Sequence, residues 1–122
     1  MFVFDLQQLA KFREKAPAVQ VLARSGHARY ILFSFKAGQT LKEHTTSSQI
    51  SVQTISGHLL FATQEQESEL LPGQIILLEA DIPHSVTAKT DSVMLLTMTP
   101  DPHHHSLEAE LFDKIKPMVE LT

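Results

Sequence analysis

An all-β fold, either an antiparallel barrel or a double-sheet jelly roll, is predicted by this sequence. Short apolar runs rich in β-branched and aromatic residues recur along residues 18–99. Turn signals such as Ser25-Gly26, Ser56-Gly57 and Pro72-Gly73 separate these runs at regular spacing, and helical periodicity is confined to the two ends of the chain. Because evenly spaced short strands are typical of sandwiches and barrels, we expect about eight strands.

Composition is typical of one ordinary domain spanning residues 1–122. The 43% hydrophobic and 20% charged content is enough to form a core without disulfides or structural metals. Cysteine is absent, which excludes thiolate nucleophiles and thiolate metal sites. We find neither an apolar run long enough to cross a bilayer nor a signal-peptide pattern, so we expect no membrane partner and a cytoplasmic location.

Charge argues against nucleic-acid binding. The chain has 10 Lys and Arg against 14 Asp and Glu, a net charge of −4, and its basic residues form no stripe that would neutralise phosphates. Its 4 glycines lie far apart, which leaves no phosphate-binding loop of the nucleotide-site kind.

A short helix is predicted at each end of the chain. Asp5 is a good N-cap for a helix that runs to Lys15. Ser106 is the N-cap predicted for a second helix, over residues 106–116, which ends before Pro117. The second helix is expected to pack across one open end of the barrel.

Between these helices the sequence predicts strands over residues 18–24, 28–36, 50–55, 58–63, 67–71, 75–78, 83–88 and 92–99. The first two strands are expected to pair as a hairpin. Their nearly continuous apolar content predicts burial on both faces, or one face packed against a second subunit.

Two spans that each run from a glycine to a histidine organise the middle of the chain. The first runs from Gly38 to His44 and continues to Gly57, and the second runs from Gly73 to His84. In the spacing of these anchors the chain resembles the small single-domain cupins of the RmlC-like, conserved-barrel type. The resemblance implies a cupin barrel, also called a double-stranded β-helix, and a homodimer.

The first motif departs from the cupin pattern at two positions. Its second histidine falls on Thr46 and its glutamate on Ile50. Of the four metal ligands that the resemblance implies, His44 and His84 remain. A hydroxyl is a poor metal ligand and a hydrocarbon is none, so a divalent transition metal would need a further ligand. Candidates are Gln49, if a bulge turns it inward, and a carboxylate of the second motif.

In the second motif the usual proline, glycine and asparagine are replaced by Glu79, Asp81 and Ala88. Glu79, at the rim of the barrel, is the second-motif carboxylate that could be the further metal ligand. A solvated side chain is the simpler interpretation. The cofactor is therefore undetermined: a divalent transition metal held by His44 and His84, or none.

Strand alternation predicts that Ile50 makes one wall of the pocket apolar, and the resemblance implies a polar pole made of the two motif histidines. The expected ligand-binding residues are His44, Thr46, Ile50, Val52, His84 and Met94. The simpler alternative is that the two histidines hydrogen-bond only each other or backbone carbonyls.

The other histidines have simpler interpretations. His27 lies in a turn, and His58 lies at a strand start and is expected at the surface or an interface. Three consecutive histidines, residues 103–105, alternate in direction if extended, so they are expected to form a polar linker that binds metal only adventitiously.

Three functions remain open at this level. The first hypothesis is a cupin that binds a small molecule through a degenerate metal site. The second is a metal-dependent cupin enzyme of the dioxygenase or isomerase type that uses His44 and His84. The third is a structural barrel without a working site.

Overall fold

The structure, a computed structural model, describes residues 1–101 and 115–122. These residues form one short helix and ten strands: α1 (Leu6–Leu9), β1 (Ala18–Arg24), β2 (Arg29–Phe35), β3 (Thr40–His44), β4 (Gln49–Ser56), β5 (Leu59–Thr63), β6 (Glu67–Leu70), β7 (Ile75–Leu78), β8 (His84–Ala88), β9 (Ser92–Thr99) and β10 (Val119–Glu120).

The strands form two sheets. The larger sheet has the order β10-β1-β2-β9-β4-β7, and the smaller has the order β3-β8-β5-β6. Every pair is antiparallel except β1 with β10, which is parallel. Strands distant in sequence are neighbours in both sheets, as in a jelly roll, so the all-β antiparallel prediction is confirmed.

Three predicted strands, β1, β7 and β9, have the bounds that the sequence indicates, and the predicted hairpin of β1 and β2 forms. β3 and β10 were not predicted. β3 is polar and mostly exposed, so it lacks the apolar alternation that identifies a half-buried strand. β10 has only two residues, too few for any pattern.

The first helix is much shorter than predicted. Asp5 is its N-cap and accepts a hydrogen bond from the Gln8 amide at 3.1 Å, but the helix ends at Leu9 instead of reaching Lys15. The carbonyl of Leu9 accepts a hydrogen bond from Gln20 Nε2 at 2.6 Å. This hydrogen bond from Gln20 of β1 replaces the backbone hydrogen bond that a further helical turn would give the Leu9 carbonyl.

After α1 the chain stays anchored to the barrel. The Lys11 amide donates to Ser34 Oγ at 3.2 Å, and Glu14 Oε1 accepts a hydrogen bond from Lys36 Nζ at 2.5 Å. This hydrogen bond to Glu14 raises the pKa of Lys36 above its usual value. The N-terminal segment is thus held against β2 without being helical.

The predicted C-terminal helix lies outside the described residues over 106–114. Its last two residues, Ile115 and Lys116, are described and are not helical. Beyond them the Met118 amide donates to the Val21 carbonyl at 2.9 Å, which places β10 beside β1. In the described part of the chain, no helix is long and apolar enough to span a bilayer.

The space between the two sheets is filled by one apolar core. Its buried members come from both sheets: Val21, Ile31, Phe33, Phe35, Ile50, Val52, Leu59, Phe61, Leu70, Val86, Ala88, Met94, Leu96 and Met98. The sequence predicted strand alternation that would supply such residues every second position, and each buried side chain of this size contributes about 1.5–3 kcal/mol relative to exposure.

A second, smaller apolar cluster lies on the outer face of the larger sheet. Leu22, Leu32 and Val93 are buried there, and Phe4 and Leu6 of the N-terminal segment pack against them. The first hairpin is therefore buried on both faces within a single chain. Of the two alternatives that its apolar content allowed, this is the one the structure shows.

Candidate functional site

One end of the barrel collects the residues of the first motif. β3 ends at His44 and β4 begins at Gln49, so the end of β3 and the start of β4 lie together. His44 pairs directly with His84, Ile50 pairs with Met98, and Met98 pairs with Arg29. We call this the histidine end.

A β-bulge brings His44 to face His84. Leu41 pairs with Val86 and His44 pairs with His84, so two residues on β3 oppose one residue on β8. In a regular strand Leu41 and His44, three positions apart, would lie on opposite faces, and the bulge places both on the same face. A bulge was the condition for turning Gln49 inward, but Gln49 lies in a regular stretch of β4 and is exposed. The bulge therefore turns His44, and it does not turn Gln49 inward as a third metal ligand.

The two imidazole rings are in contact. Their centroids lie 4.3 Å apart at an interplanar angle of 65°, an edge-to-face arrangement. His84 is only 4% exposed, and its ring also stacks on that of Phe61, with centroids 5.4 Å apart and an interplanar angle of 11°. His44 is partly exposed. In this pair His84 is buried and stacked on Phe61, and His44 is accessible from solvent.

Each ring is oriented by a backbone carbonyl. His44 Nδ1 lies 2.6 Å from the Lys42 oxygen, and His84 Nδ1 lies 2.8 Å from the Ile82 oxygen. Carbonyl oxygens only accept hydrogen bonds, so the proton of each neutral ring is on Nδ1. Nε2 is then the acceptor nitrogen of both rings.

Thr46 is buried and its polar groups are used in a turn. Its hydroxyl accepts a hydrogen bond from the Ser48 amide at 3.1 Å, and its carbonyl accepts one from the Asp81 amide at 2.9 Å. Thr46 therefore ties the two motifs together at the histidine end. Its hydroxyl is committed to local structure, which is the usual role of threonine in such turns.

The remaining predicted pocket residues belong to the core. Ile50 is 4% exposed, and Val52 and Met94 are 1% exposed. They form a hydrocarbon floor between the sheets. Ile50 is the member of this floor nearest the histidine end, and Val52 and Met94 lie farther along their strands.

The described residues fit only part of a cupin metal site. Among residues 1–101 and 115–122, no group of three or more His, Cys, Asp or Glu side chains is placed to hold a metal ion. His44 and His84 supply two imidazoles, Ile50 supplies hydrocarbon, and Glu79 is exposed beyond β7. Three protein ligands are usual for a catalytic metal, and these residues provide two. The three consecutive histidines, residues 103–105, lie outside the described part.

A buried ion pair at the histidine end was not predicted. Arg29 Nε lies 2.6 Å from Asp101 Oδ1, and the two side chains are 1% and 9% exposed. The neighbouring Pro100 carbonyl accepts a hydrogen bond from Ser48 Oγ at 2.6 Å. The sequence did contain a signal, because an isolated arginine in a strand expected to be buried on both faces requires a partner.

Phe61 was not predicted as a site residue either. Besides stacking on His84, it lines a cleft of about 310 Å³ that opens between the smaller sheet and β7. Thr63, Gln66 and Leu78 line both this cleft and a second one of about 310 Å³, which reaches Pro83. Both clefts are also lined by residues next to the pair, because Thr63 pairs with His84 across β5 and β8.

The other described histidines do not join the pair. His27 is exposed in the turn after β1. His58 lies beyond Gly57 at the opposite end of the barrel, where its Nε2 is 3.3 Å from Glu69 Oε1. His58 is partly exposed, in agreement with its expected place near the surface.

Comparisons with known proteins identify the fold. No protein-family model and no curated protein matches the chain. A structure of an RmlC-like cupin protein from Desulfovibrio desulfuricans matches at 23% identity with a TM-score of 0.77, covering 82% of this chain and 97% of that one. A Klebsiella pneumoniae protein with a double-stranded β-helix domain matches at 14% identity with a TM-score of 0.76, covering 85% and 93%.

An enzyme is among the similar structures. The DMSP lyase DddQ from Ruegeria pomeroyi matches at 16% identity with a TM-score of 0.69, covering 75% of this chain and 51% of that one. Identities this low show a shared fold and leave function open. The order of the strands and these likenesses agree, and the chain therefore has the fold of a small cupin domain, the double-stranded β-helix.

Proposed function

We propose that this protein binds a small organic molecule at the histidine end of its barrel and does so without a resident metal. The observation that supports the proposal is the contact between His44 and His84, whose rings are both oriented, with His84 stacked on Phe61, a member of the same apolar core as Ile50. An apolar site with a few fixed polar groups is the usual form of a small-molecule pocket.

The donor set supports a metal-free site. The carboxylate that would attract a divalent cation is replaced by Ile50, and the Thr46 hydroxyl is hydrogen-bonded in a turn. Hydrocarbon at that position lowers the attraction for a cation and raises the affinity for an apolar body.

Metal analysis of tag-free protein tests this proposal. We expect substoichiometric iron, manganese, nickel and zinc after dialysis against a weak chelator. A stoichiometric metal that is lost in both His44→Ala and His84→Ala, and kept in a variant with alanine at residues 103–105, would overturn it. The last variant is the control for adventitious binding.

A metal-dependent enzyme is the second candidate, and one observation favours it. Metal-binding histidines usually donate their other ring N–H to a carbonyl or carboxylate, as both His44 and His84 do at Nδ1. The metal analysis above separates this candidate from the first, because only the enzyme requires a metal held by the pair.

A structural barrel is the third candidate. It is favoured by the burial of the floor, where Ile50 is 4% exposed and Val52 and Met94 are each 1% exposed. A screen of small organic molecules by NMR tests it. No shift at His44 or His84 with any compound would favour this candidate over the first.

We also propose a cytoplasmic homodimer. The apolar residues that remain exposed at the N-terminal segment and near β10 support self-association, because closed two-fold pairing is the commonest way to bury such a surface. The partner in this proposal is a second copy of the chain.

A further inference from the structure

We propose that the edge strand β7 binds an extended, basic segment of a partner protein, which adds to the larger sheet as a further strand. Three features of the molecule support this: the open edge of β7, its exposed apolar side chains, and the acidic residues around it. The proposed site does not use the histidine pair and goes beyond the function proposed above.

The backbone of β7 is paired on one side. β7 is the last strand of the larger sheet, and it pairs with residues 50–53 of β4 in regular register. Within residues 1–101 and 115–122, no strand pairs with its other edge. Every second residue of an edge strand turns its N–H and C=O groups outward, so β7 presents these groups to an incoming strand.

The side chains of β7 do not protect this edge. Edge strands are commonly protected by charged residues, prolines or bulges, and β7 consists of apolar residues without a bulge. Leu77 is 74% and Ile75 is 50% exposed on one face. Ile76 and Leu78 pack against the core on the other face and are only partly buried. An added strand would therefore cover apolar surface on both faces.

An opening between the two sheets gives access to β7. The cleft of about 310 Å³ that contains Phe61 is lined on one side by residues 76–78 of β7. On the other side it is lined by residues of β5, β6 and the turn between them, among which Gln66 and Ser68 are exposed. The sheets are thus separated along β7, and an extended chain has room beside it.

The charge of this part of the barrel indicates which partner fits. Residues 49–88, which include β4 to β8, contain no Lys or Arg. Their acidic residues are Glu65, Glu67, Glu69, Glu79 and Asp81. Glu79 directly follows β7, and Glu65 and Asp81 line the adjoining cleft with Leu78. Lysines or arginines at the ends of an added strand would meet these carboxylates, and such complementarity favours a basic partner.

The same charge argues against self-pairing at this edge. A second copy of β7 would bring the same carboxylates with it and no basic residue from this part of the chain. Like charges brought together at an interface are unfavourable, so a second copy fits this edge poorly. The occupant that satisfies both the backbone and the charge is an extended basic segment with apolar residues at alternate positions.

A pair of labelled peptides tests the charge preference. The basic peptide Lys-Val-Thr-Val-Thr-Val-Lys should bind the full chain at least about tenfold more tightly than the acidic peptide Glu-Val-Thr-Val-Thr-Val-Glu, measured by fluorescence polarisation at low salt. Added salt should narrow the difference, because the carboxylates are exposed. Equal binding of the two peptides, or tighter binding of the acidic one, would overturn the basic partner.

Methylated peptides test strand addition. Methyl groups on the backbone nitrogens of alternate residues remove the donors on one edge of an extended peptide and leave the other edge intact. Of the two basic peptides methylated in alternate sets, one should bind about fivefold more weakly for each hydrogen bond lost. Equal binding of the parent peptide and both methylated peptides would show attraction of charge alone and would overturn strand addition.

Amide hydrogen exchange locates the peptide on the protein. Saturating basic peptide should slow the exchange of the outward-facing amides of β7 and leave the amides of β10, at the opposite edge of the same sheet, unchanged. Protection of β10, or protection of neither strand, would overturn the assignment to β7.

A variant of the edge and a matched control complete the test. Leu77→Lys replaces an exposed apolar side chain with a charge that repels the basic peptide, and affinity should fall about tenfold or more. Leu121→Lys makes the same exchange near β10, where Leu121 is 37% exposed, and should leave the affinity unchanged. Equal losses in both variants would overturn the site. A lower mass of Leu77→Lys than of wild-type protein without peptide would assign the edge to a second copy and overturn the basic partner.

Discussion

At the scale of single residues, the turns of the two motifs depend on backbone conformations that few side chains adopt. Gly57 and Gly73 have φ values of +89° and +86°, and Asp81 has a φ of +66° without being glycine. Asp81 stands where the cupin pattern has glycine. The left-handed conformation explains that preference, and aspartate is among the few residues that tolerate it.

Gly57→Ala should be strongly destabilising. A β-carbon there would lie 2.3 Å from the Asp91 carbonyl oxygen and 2.3 Å from Ser92 Oγ, in addition to the cost of the conformation. We expect a loss of about 2–4 kcal/mol in the free energy of unfolding, measured by urea denaturation. Gly73→Ala is the control, because it has a similar φ and no atom within 4 Å. Equal losses in the two variants would show that the close contacts at Gly57 relax.

Asp81 offers the converse experiment. Asp81→Gly keeps the amide that donates to the Thr46 carbonyl at 2.9 Å and removes the strained β-carbon, so stability should be unchanged or slightly higher. Asp81→Ala keeps the β-carbon without the polar group and should lose about 1 kcal/mol, again by urea denaturation. A loss of similar size in both variants would show that the carboxylate itself stabilises the turn.

At the scale of elements, the histidine end is assembled by three connections. The bulge in β3 brings His44 opposite His84, the Asp81 amide binds the Thr46 carbonyl, and Asp101 holds the chain after β9 against Arg29 of β2. Only the last connection is ionic, and it is almost fully buried.

Asp101→Asn should therefore destabilise the protein far more than the loss of a surface ion pair. Removing one charge from a buried pair leaves the other in a poor environment and typically costs about 3–5 kcal/mol. Thermal and urea unfolding measure the loss. Glu120→Gln is the control, since its pair with Arg24 at 3.2 Å is largely exposed and should contribute less than about 1 kcal/mol. Similar small effects in both variants would contradict the structural importance of the buried pair.

At the scale of the whole molecule, apolar surface remains where the N-terminal segment crosses the larger sheet. Phe2 is 58% and Val3 is 84% exposed, and a groove of about 520 Å³ runs between this segment and the sheet, reaching Leu121 near β10. We expect the proposed second copy to pack on this surface, because this apolar groove is larger than either of the two clefts of about 310 Å³ near Thr63.

The double variant Phe2→Ser with Leu121→Ser should shift the assembly from dimer to monomer, because it makes the rim of the groove polar. Light scattering coupled to size-exclusion chromatography measures the mass across a range of concentrations. Leu77→Ser is the control: Leu77 is 74% exposed on β7, away from the groove. A monomeric wild-type protein, or an equal effect of both variants, would contradict this interface.

The two motif histidines were identified by the resemblance to cupins. Local pattern by itself determined the class of fold, most strand positions and the Asp5 cap. These follow from alternation, turn residues and spacing, which are properties of neighbouring positions. The length of the first helix did not follow, because its end depends on Gln20, which is distant in sequence and competes for the carbonyl of Leu9.

Tertiary structure alone decided how the histidine end is built. The bulge that faces His44 toward His84, the stacking of Phe61 and the pairing of Arg29 with Asp101 all join residues far apart in the chain. Each depends on which strands become neighbours and in what register. Alternation within one strand does not determine either, so the direction of a side chain next to an irregular pair is set by the partner strand.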